Sequence, residues 1–350
     1  MAKGINPNIK LKPRPLKDLD QYLDGLSRGD RFVLSEVLTL VESKNSTHRG
    51  LGEQILNSLD LSKAESTLRI GITGSPGAGK STFIETLGNH FIARGSKVAV
   101  LAIDPSSTKS QGSILGDKTR MHSLSTNKNA FVRPTASANM LGGVAQSTKE
   151  SIALCEAAGY DIILIESVGV GQSETELANL VDMYLLLLLP GGGDGVQGIK
   201  RGIVELADMM IVNKYDGDYK LLAERSRKDF AMSSSLFHHD LEQWKVPVEL
   251  CSSTKDIGFD SILDQIDTYT SLSKENSFFN KKRKDQDQKW LSQQIKKVLI
   301  HKANQLFEVD THLQDSAGSS SVFKVLQRVS TKIGKDFKSF MTKKSKIDRD

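Results

Sequence analysis

The stretch "GITGSPGAGKSTF", Gly71–Phe83, decides the fold. Gly74, four further residues and then Gly79-Lys80-Ser81 have the spacing of a phosphate-binding loop. The apolar run "STLRI" precedes it and the helix-like "IETLGNHFIARG" follows. Glycines let backbone N–H groups converge on phosphate oxygens without a Cβ in the way. A helix N-terminus adds partial positive charge at the same place. Gly74, Ser75, Pro76, Gly77, Ala78, Gly79, Lys80, Ser81 and Thr82 are therefore the expected cradle. Lys80 would reach the β- and γ-phosphates, and Ser81 would bind Mg²⁺.

Outward from this loop, short apolar runs alternate with helical stretches: "LRIGIT", "KVAVLAID", "DIILIES", "MYLLLLLP", "DMMIVNK" and "VPVELCS". Unbroken apolar strands between helices predict a mostly parallel sheet covered on both faces. Ligands bind such sheets at the carboxyl ends of the strands, so the residues that end each run carry the chemistry. Asp104 ends one strand in "DPSS", which fits either a metal shell or a helix cap. Glu166 ends another in "ESVG", where Gly169 would offer an N–H to the γ-phosphate. Asp117, in "GSILGDKTRM", is a third acid open to a metal or its waters.

"IVNKYDGD" supplies the base site, about 130 residues beyond the phosphate loop. A carboxylate at Asp216 accepts from guanine N1–H and the 2-amino group together, whereas adenine leaves it unpaired. Buried hydrogen bonds of this kind discriminate by ~10⁴–10⁵. Asn213 would tie loops together, and Lys214 would lay its stem over the phosphate loop or the base. Ser252, Ser253 and Thr254, after a later strand, would turn N–H groups towards guanine O6. The nucleotide predicted is GTP.

Val170 stands just after "ESVG", where a glutamine would orient the attacking water, so slow basal turnover and activation by a partner or by dimerisation are expected. Lys118, Arg120, Arg133, Lys200 and Arg201 are candidates for stabilising charge. "PGGGDGVQGIKRGIVEL", Pro190–Leu206, reads as a mobile switch or a tight strand-to-helix turn.

Around the nucleotide core the sequence predicts flanking helices. Asp30 would cap one with Leu34, Val37, Leu38 and Val41 on a single face. A second, "FFNKKRKDQDQKWLSQQIKKVLIHKANQLF", places Trp290, Leu291, Ile295, Val298 and Leu299 at helical spacing. The expected division is an N-terminal arm and helical region (1–62), a nucleotide domain (63–272) and a C-terminal helical arm with a basic tail (273–350). The chain has 350 residues, a net charge of +5 and two cysteines, Cys155 and Cys251. The basic residues gather at the two ends without interleaved aromatics, which argues against nucleic-acid binding. Both cysteines read as buried side chains in a reducing compartment, here the cytoplasm. "YLLLLLP" is far short of the ~20 residues of a membrane helix.

Together, "GSPGAGKSTFIE", "AIDPSS", "GSILGDKTRM", "ESVGVGQSE", "DGVQGIKRGIVELAD", "NKYDGD" and "KWL" resemble the MeaB/ArgK-type P-loop GTPases, the group of the methylmalonic aciduria type A protein. The resemblance runs from about Leu16 to about Leu299. It implies a GTPase of the SIMIBI class with helical extensions and a C-terminal dimerisation arm, hence a homodimer. It also implies a chaperone of an adenosylcobalamin-dependent acyl-CoA mutase, chiefly methylmalonyl-CoA mutase, that couples GTP hydrolysis to cofactor loading and protection. By the same resemblance Lys80 and Ser81 serve phosphates and Mg²⁺, Asp104 and Glu166 the metal shell, and Asp216 the base. The "GGGDGVQGIK" loop corresponds to a partner-sensing switch. Two segments depart from the family pattern: Gly195 stands where an acid is usual, and "RPTASANMLGGVA" replaces a more serine-rich version. Competing classes are a metal-insertion GTPase, which would want a histidine-rich tract, and a phosphotransferase such as a transport-protein kinase, which would want an acceptor site.

The base assignment has a direct test. Asp216→Asn should weaken GTP binding by at least about 100-fold and improve binding of xanthosine triphosphate. A variant that binds GTP like the parent would remove Asp216 from the base site.

Overall fold

A computed structural model describes residues 15–62, 64–104, 121–136, 144–167, 172–191, 201–235, 238–307, 330–331 and 334–335. The chain divides into two units, residues 1–283 and 284–350. The first is built on a seven-stranded sheet. Its strands are β1 (Leu68–Gly74), β2 (Val98–Asp104), β3 (Ala130–Ala136), β4 (Ile162–Ser167), β5 (Met183–Leu188), β6 (Met209–Val212) and β7 (Val248–Leu250). Their order is β3-β2-β4-β1-β5-β6-β7, and every pairing is parallel. All strands thus deliver their carboxyl ends to one edge, with β1 and the phosphate loop near the middle. All six residues of β5 are buried, as expected for a strand covered on both faces. The apolar run of leucines is accounted for as sheet core, and no described helix is long and apolar enough to cross a membrane.

The strand that sequence patterning missed is β3. It contains Arg133 and Pro134, poor strand signals in isolation. It lies at the edge of the sheet and pairs only with β2. An edge strand tolerates a proline because one side needs no ladder donor.

Among the described residues, helices precede β1, separate successive strands and follow β7. In order they are α1 (Leu19–Ser27), α2 (Arg31–Val41), α3 (Ser46–Asn57), α4 (Lys80–Ala93), α5 (His122–Thr126), α6 (Val144–Ala157), α7 (Gln172–Ala178), α8 (Arg201–Val204), α9 (Lys220–Ser234), α10 (Phe259–Glu275) and α11 (Phe278–Phe307). Asp30 caps α2 as its sequence position predicts, accepting from Phe32 N at 2.8 Å and Val33 N at 3.3 Å. Val33, Leu34, Val37, Leu38, Leu40 and Val41 are the buried face behind that cap.

Ion pairs fasten these N-terminal helices to the sheet unit. Arg49 donates to Glu150 at 2.6 Å, and Arg133 donates to Glu42 at 2.6 Å and to Ser35 O at 3.2 Å. Burial pushes the Glu42 carboxyl above its ordinary value, against the pull of Arg133. This corrects one expectation: the guanidinium of Arg133 is committed to α2, so it is not a charge held for phosphate.

A second ionic cluster sits where β5 and β6 begin, at the edge away from the phosphate loop. Arg283 donates to Asp182 through Nε at 2.7 Å and Nη2 at 2.6 Å. Buried Asp208 accepts from the Tyr184 backbone at 2.7 Å, the Tyr269 hydroxyl at 3.0 Å and Lys282 at 3.1 Å, with His239 Nε2 at 2.7 Å. Buried carboxylates survive only with such partners. Burial alone would raise the Asp208 pKa, but Lys282, His239 and the Tyr184 N–H hold it below its ordinary value. In the second unit, α11 continues with Leu291, Ile295, Val298, Leu299 and Ile300 exposed.

The lowered pKa has a signed consequence for stability. A carboxyl more acidic when folded stabilises the fold above its ordinary value of 3.8 and loses that contribution as pH falls through the lower folded value. Asp208→Asn should therefore reduce the unfolding free energy at neutral pH by about 3 kcal/mol. The gap to the parent should close as the pH is taken below the carboxylate range. Urea unfolding across pH measures both; a pH-independent gap would show that the charge of Asp208 is not what stabilises the strands.

Candidate functional site

The phosphate loop links β1 to α4 as the sequence predicts. Gly79 has φ 86°, and a Cβ there would meet Asn213 Nδ2 at 2.8 Å. Gly74 has φ 153°, with the carbonyl of Leu187 in β5 where its Cβ would stand. Both glycines are required by close approach as well as by backbone angle. Gly77 is open to solvent, Pro76 is exposed and Ser75 half-buried, and Ala78 is buried beneath the loop. Lys80 opens α4 and is buried; its Nζ donates to Gly74 O at 2.8 Å and Ser75 O at 3.3 Å. The ammonium is thereby held across the loop that it would share with a phosphate.

Ser81, the next residue of α4, donates its hydroxyl to Glu166 at 3.1 Å (Oε1) and 3.4 Å (Oε2). Glu166 reaches it because β4 lies between β1 and β2, with Glu166 in register with Ile72 and Ala102. The pair is separated by 85 residues in sequence and joined by the parallel pairing. Below it, Ser167 donates to Thr73 at 3.0 Å. Asp104 closes β2 opposite Ala136, while its side chain lies outside the described set. Asp117, Gly169, Val170, Lys118, Arg120, Lys200 and most of the glycine loop after Gly191 also lie outside the described residues. Gln172 and Arg201 are described only as the first residues of α7 and α8.

The base-side residues converge on one amide. Asn213 Nδ2 donates to Ala78 O of the phosphate loop at 2.8 Å. Its Oδ1 accepts from Ser253 N at 3.1 Å, Ser253 Oγ at 2.9 Å and Cys251 Sγ at 3.4 Å. Asn213 thus joins the phosphate loop to the loop after β7. Burial pushes the Cys251 thiol up to about 12, so it stays protonated and serves as a donor. Cys155 is likewise buried. Asp216 accepts from the Ser252 hydroxyl and, at 3.4 Å, from Thr254 Oγ1. Ser252 Oγ in turn accepts from Lys255 N at 3.2 Å. Lys214 is exposed with φ 61°, a left-handed backbone unusual for a long side chain, at the bend that turns the chain from β6 to Asp216.

Phosphate loop, acid-bearing strand ends and an Asn-Lys-Tyr-Asp segment on a parallel sheet together define a P-loop GTPase. The family profile described as "Methylmalonyl Co-A mutase-associated GTPase MeaB" matches residues 34–307. The Escherichia coli GTPase ArgK is 41% identical over 283 residues, covering 81% of this chain and 85% of the relative. A mouse protein named methylmalonic aciduria type A homolog, mitochondrial, is 41% identical over 301 residues, covering 83% and 72%. Among solved structures, the LAO/AO transport system kinase superposes with a TM-score of 0.73 at 31% identity, over 91% of this chain and 100% of that one. The chain belongs to the methylmalonyl Co-A mutase-associated GTPase MeaB family.

Cys251 and Thr86 are also part of the site's framework, and Thr86 donates to Ser253 O at 2.9 Å. Neither position has a motif of its own.

Asn213→Ala removes the shared anchor of both loops. At about 1 kcal/mol for each of the four lost hydrogen bonds, GTP affinity should fall by up to about 1,000-fold. Titration with a fluorescent GTP analogue checks this; an unchanged Kd would show that the two loops hold their places independently.

Proposed function

We propose that this GTPase is a chaperone that gates adenosylcobalamin loading and protection of an acyl-CoA mutase, methylmalonyl-CoA mutase in the first instance. The observation that carries the reading is the joined phosphate and base loops, in a family described by its association with that mutase. In this reading the loop from Gly74 to Thr82 cradles the phosphates of GTP with its backbone N–H groups, Pro76 having none, and Lys80 neutralises the β- and γ-phosphates. Asp216 takes the guanine edge and Lys214 flanks the base; of the three residues expected to turn N–H groups towards O6, Ser252 and Ser253 instead spend theirs on Ile257 O and Asn213 Oδ1, which leaves that role to Thr254.

Ser81 and Glu166 fit Mg²⁺ by donor chemistry: a hydroxyl and a carboxylate, 3.1 Å apart, are the hard oxygen ligands this ion takes. Asp104, at the end of β2, is assigned with them on sequence, as are Asp117 for a metal or its waters and Gly169 for the γ-phosphate. Bound there, Mg²⁺ would supply charge neutralisation to the phosphates. Ser81 and Glu166 position that charge, and Lys80 adds its own.

Hydrolysis by the lone chain is slow in this reading, because Val170 stands where a glutamine would orient the attacking water, and activation comes with a partner or with dimerisation. A homodimer forms through the C-terminal arm, whose apolar row from Leu291 to Ile300 is exposed. The chain works in the cytoplasm, without nucleic-acid or membrane partners. The name of the similar transport system kinase keeps phosphotransfer to a protein as the second reading.

Purified chain and the mutase should co-elute, and adding mutase should raise the GTP hydrolysis rate by at least about tenfold, a floor well under the ~10³–10⁵ that a supplied stabilising charge contributes. Absence of both effects would overturn the chaperone reading. Radiolabel passing from the γ-phosphate to a protein would establish the kinase reading instead.

A further inference from the structure

One row of side chains on α4 is not explained by phosphate binding. Thr82, Thr86 and His90 stand four residues apart on the helix that begins with Lys80, and so share one face. Two of them touch the loop after β7. Thr86 Oγ1 lies 2.9 Å from Ser253 O and 3.1 Å from Thr82 O, so its one proton is shared between the loop and its own helix. His90 Nε2 lies 2.6 Å from Asp256 Oδ1. The His90 ring also stacks on Phe259, 5.3 Å between centroids and 13° between planes, and Phe259 packs on Phe83 of α4 at 5.4 Å.

The loop is small and closed. Ser252 N donates to Ile257 O at 3.0 Å, and Ile257 N returns a bond to Ser252 O at 3.2 Å. Residues 253–256 are the tip between those bonds, and Asp256 takes a left-handed φ of 55° there. One side of the tip faces Asn213 and Asp216. The other side is held by Thr86 and His90. A non-glycine residue at positive φ persists when its surroundings over-determine it, and the His90 contact is such a constraint.

We infer that Thr86 and His90 are positioning residues for nucleobase selection: through Ser253 and Asp256 they set the loop that meets the base. The inference rests on the base-site reading of Asp216 and Ser252–Thr254. One rigid helix then spans both ends of the nucleotide, its first turn at the phosphates and its third at the base loop. In that reading neither side chain meets the nucleotide. Their effect is on Asp216: the loop they set carries the Ser252 and Thr254 hydroxyls that hold its carboxylate, the group that reads the 2-amino position.

The test compares GTP with inosine triphosphate, which lacks the 2-amino group, by titration of the full-length chain. Thr86→Val and His90→Ala should each weaken GTP binding by about three- to tenfold, the range of one hydrogen bond. They should also narrow the GTP-to-inosine triphosphate affinity ratio. Thr86→Ser and His90→Gln, which keep a donor, should retain the parent ratio. A general packing role would instead lower the thermal midpoint and weaken both nucleotides equally, and that result would overturn the inference. Asp216→Asn is the control for the underlying reading. If it loses GTP while Thr86→Val and His90→Ala keep the parent ratio, only the positioning role fails. If it binds GTP normally, the base site itself is misassigned. Should Thr86→Val not fold, His90→Ala carries the same measurement, since His90 is 27% exposed.

Discussion

A single side-chain amide connects the two halves of this nucleotide site. Asn213 donates to the carbonyl of Ala78 and accepts from Ser253 and Cys251. It is 2% exposed, so each of those bonds replaces water that cannot reach it, and loss of one leaves a buried polar group without compensation. The glycine at position 79 is forced by the same contact, since a Cβ there would collide with the Asn213 amide. Loop sequence, helix start and base loop are thus mutually dependent through one residue.

That arrangement relies on the parallel sheet. Because every strand runs the same way, residues far apart in the chain end at one edge, which is how Ser81 and Glu166 become neighbours. The opposite edge has a different problem. There buried Asp182 and Asp208 need compensation, and Arg283, Lys282, His239 and Tyr269 provide it. The two edges divide the molecule into a face where backbone and carboxylates are arranged around a nucleotide, and a face where carboxylates are neutralised internally.

Much of the fold was legible because its signals are local. Glycine spacing, apolar runs and the Asp30 cap each act over a few residues, and six of the seven strands follow from them. The edge strand β3 was not legible: Arg133 and Pro134 look like loop residues until one sees that the strand needs a partner on one side only. Arg133 was read as available charge for the same reason. Its partner, Glu42, is distant in sequence and on another element. The roles of Asn213 and Asp216 were legible as a motif, but the hydroxyls of Ser252 and Thr254 on Asp216 were not, since they arise from a second crossover strand.

By itself the sequence determined the class of nucleotide fold, the position of the phosphate loop and the strand ends that matter, because these depend on backbone permissiveness and on periodic burial. Tertiary structure decided which side chains share bonds. Asn213 with Ala78, Ser81 with Glu166, and His90 with Asp256 are each set by how parallel strands and α4 bring distant loops within hydrogen-bond distance. Hydrogen bonds act over about 3 Å, and no pattern in a linear chain records separations on that scale between segments a hundred residues apart.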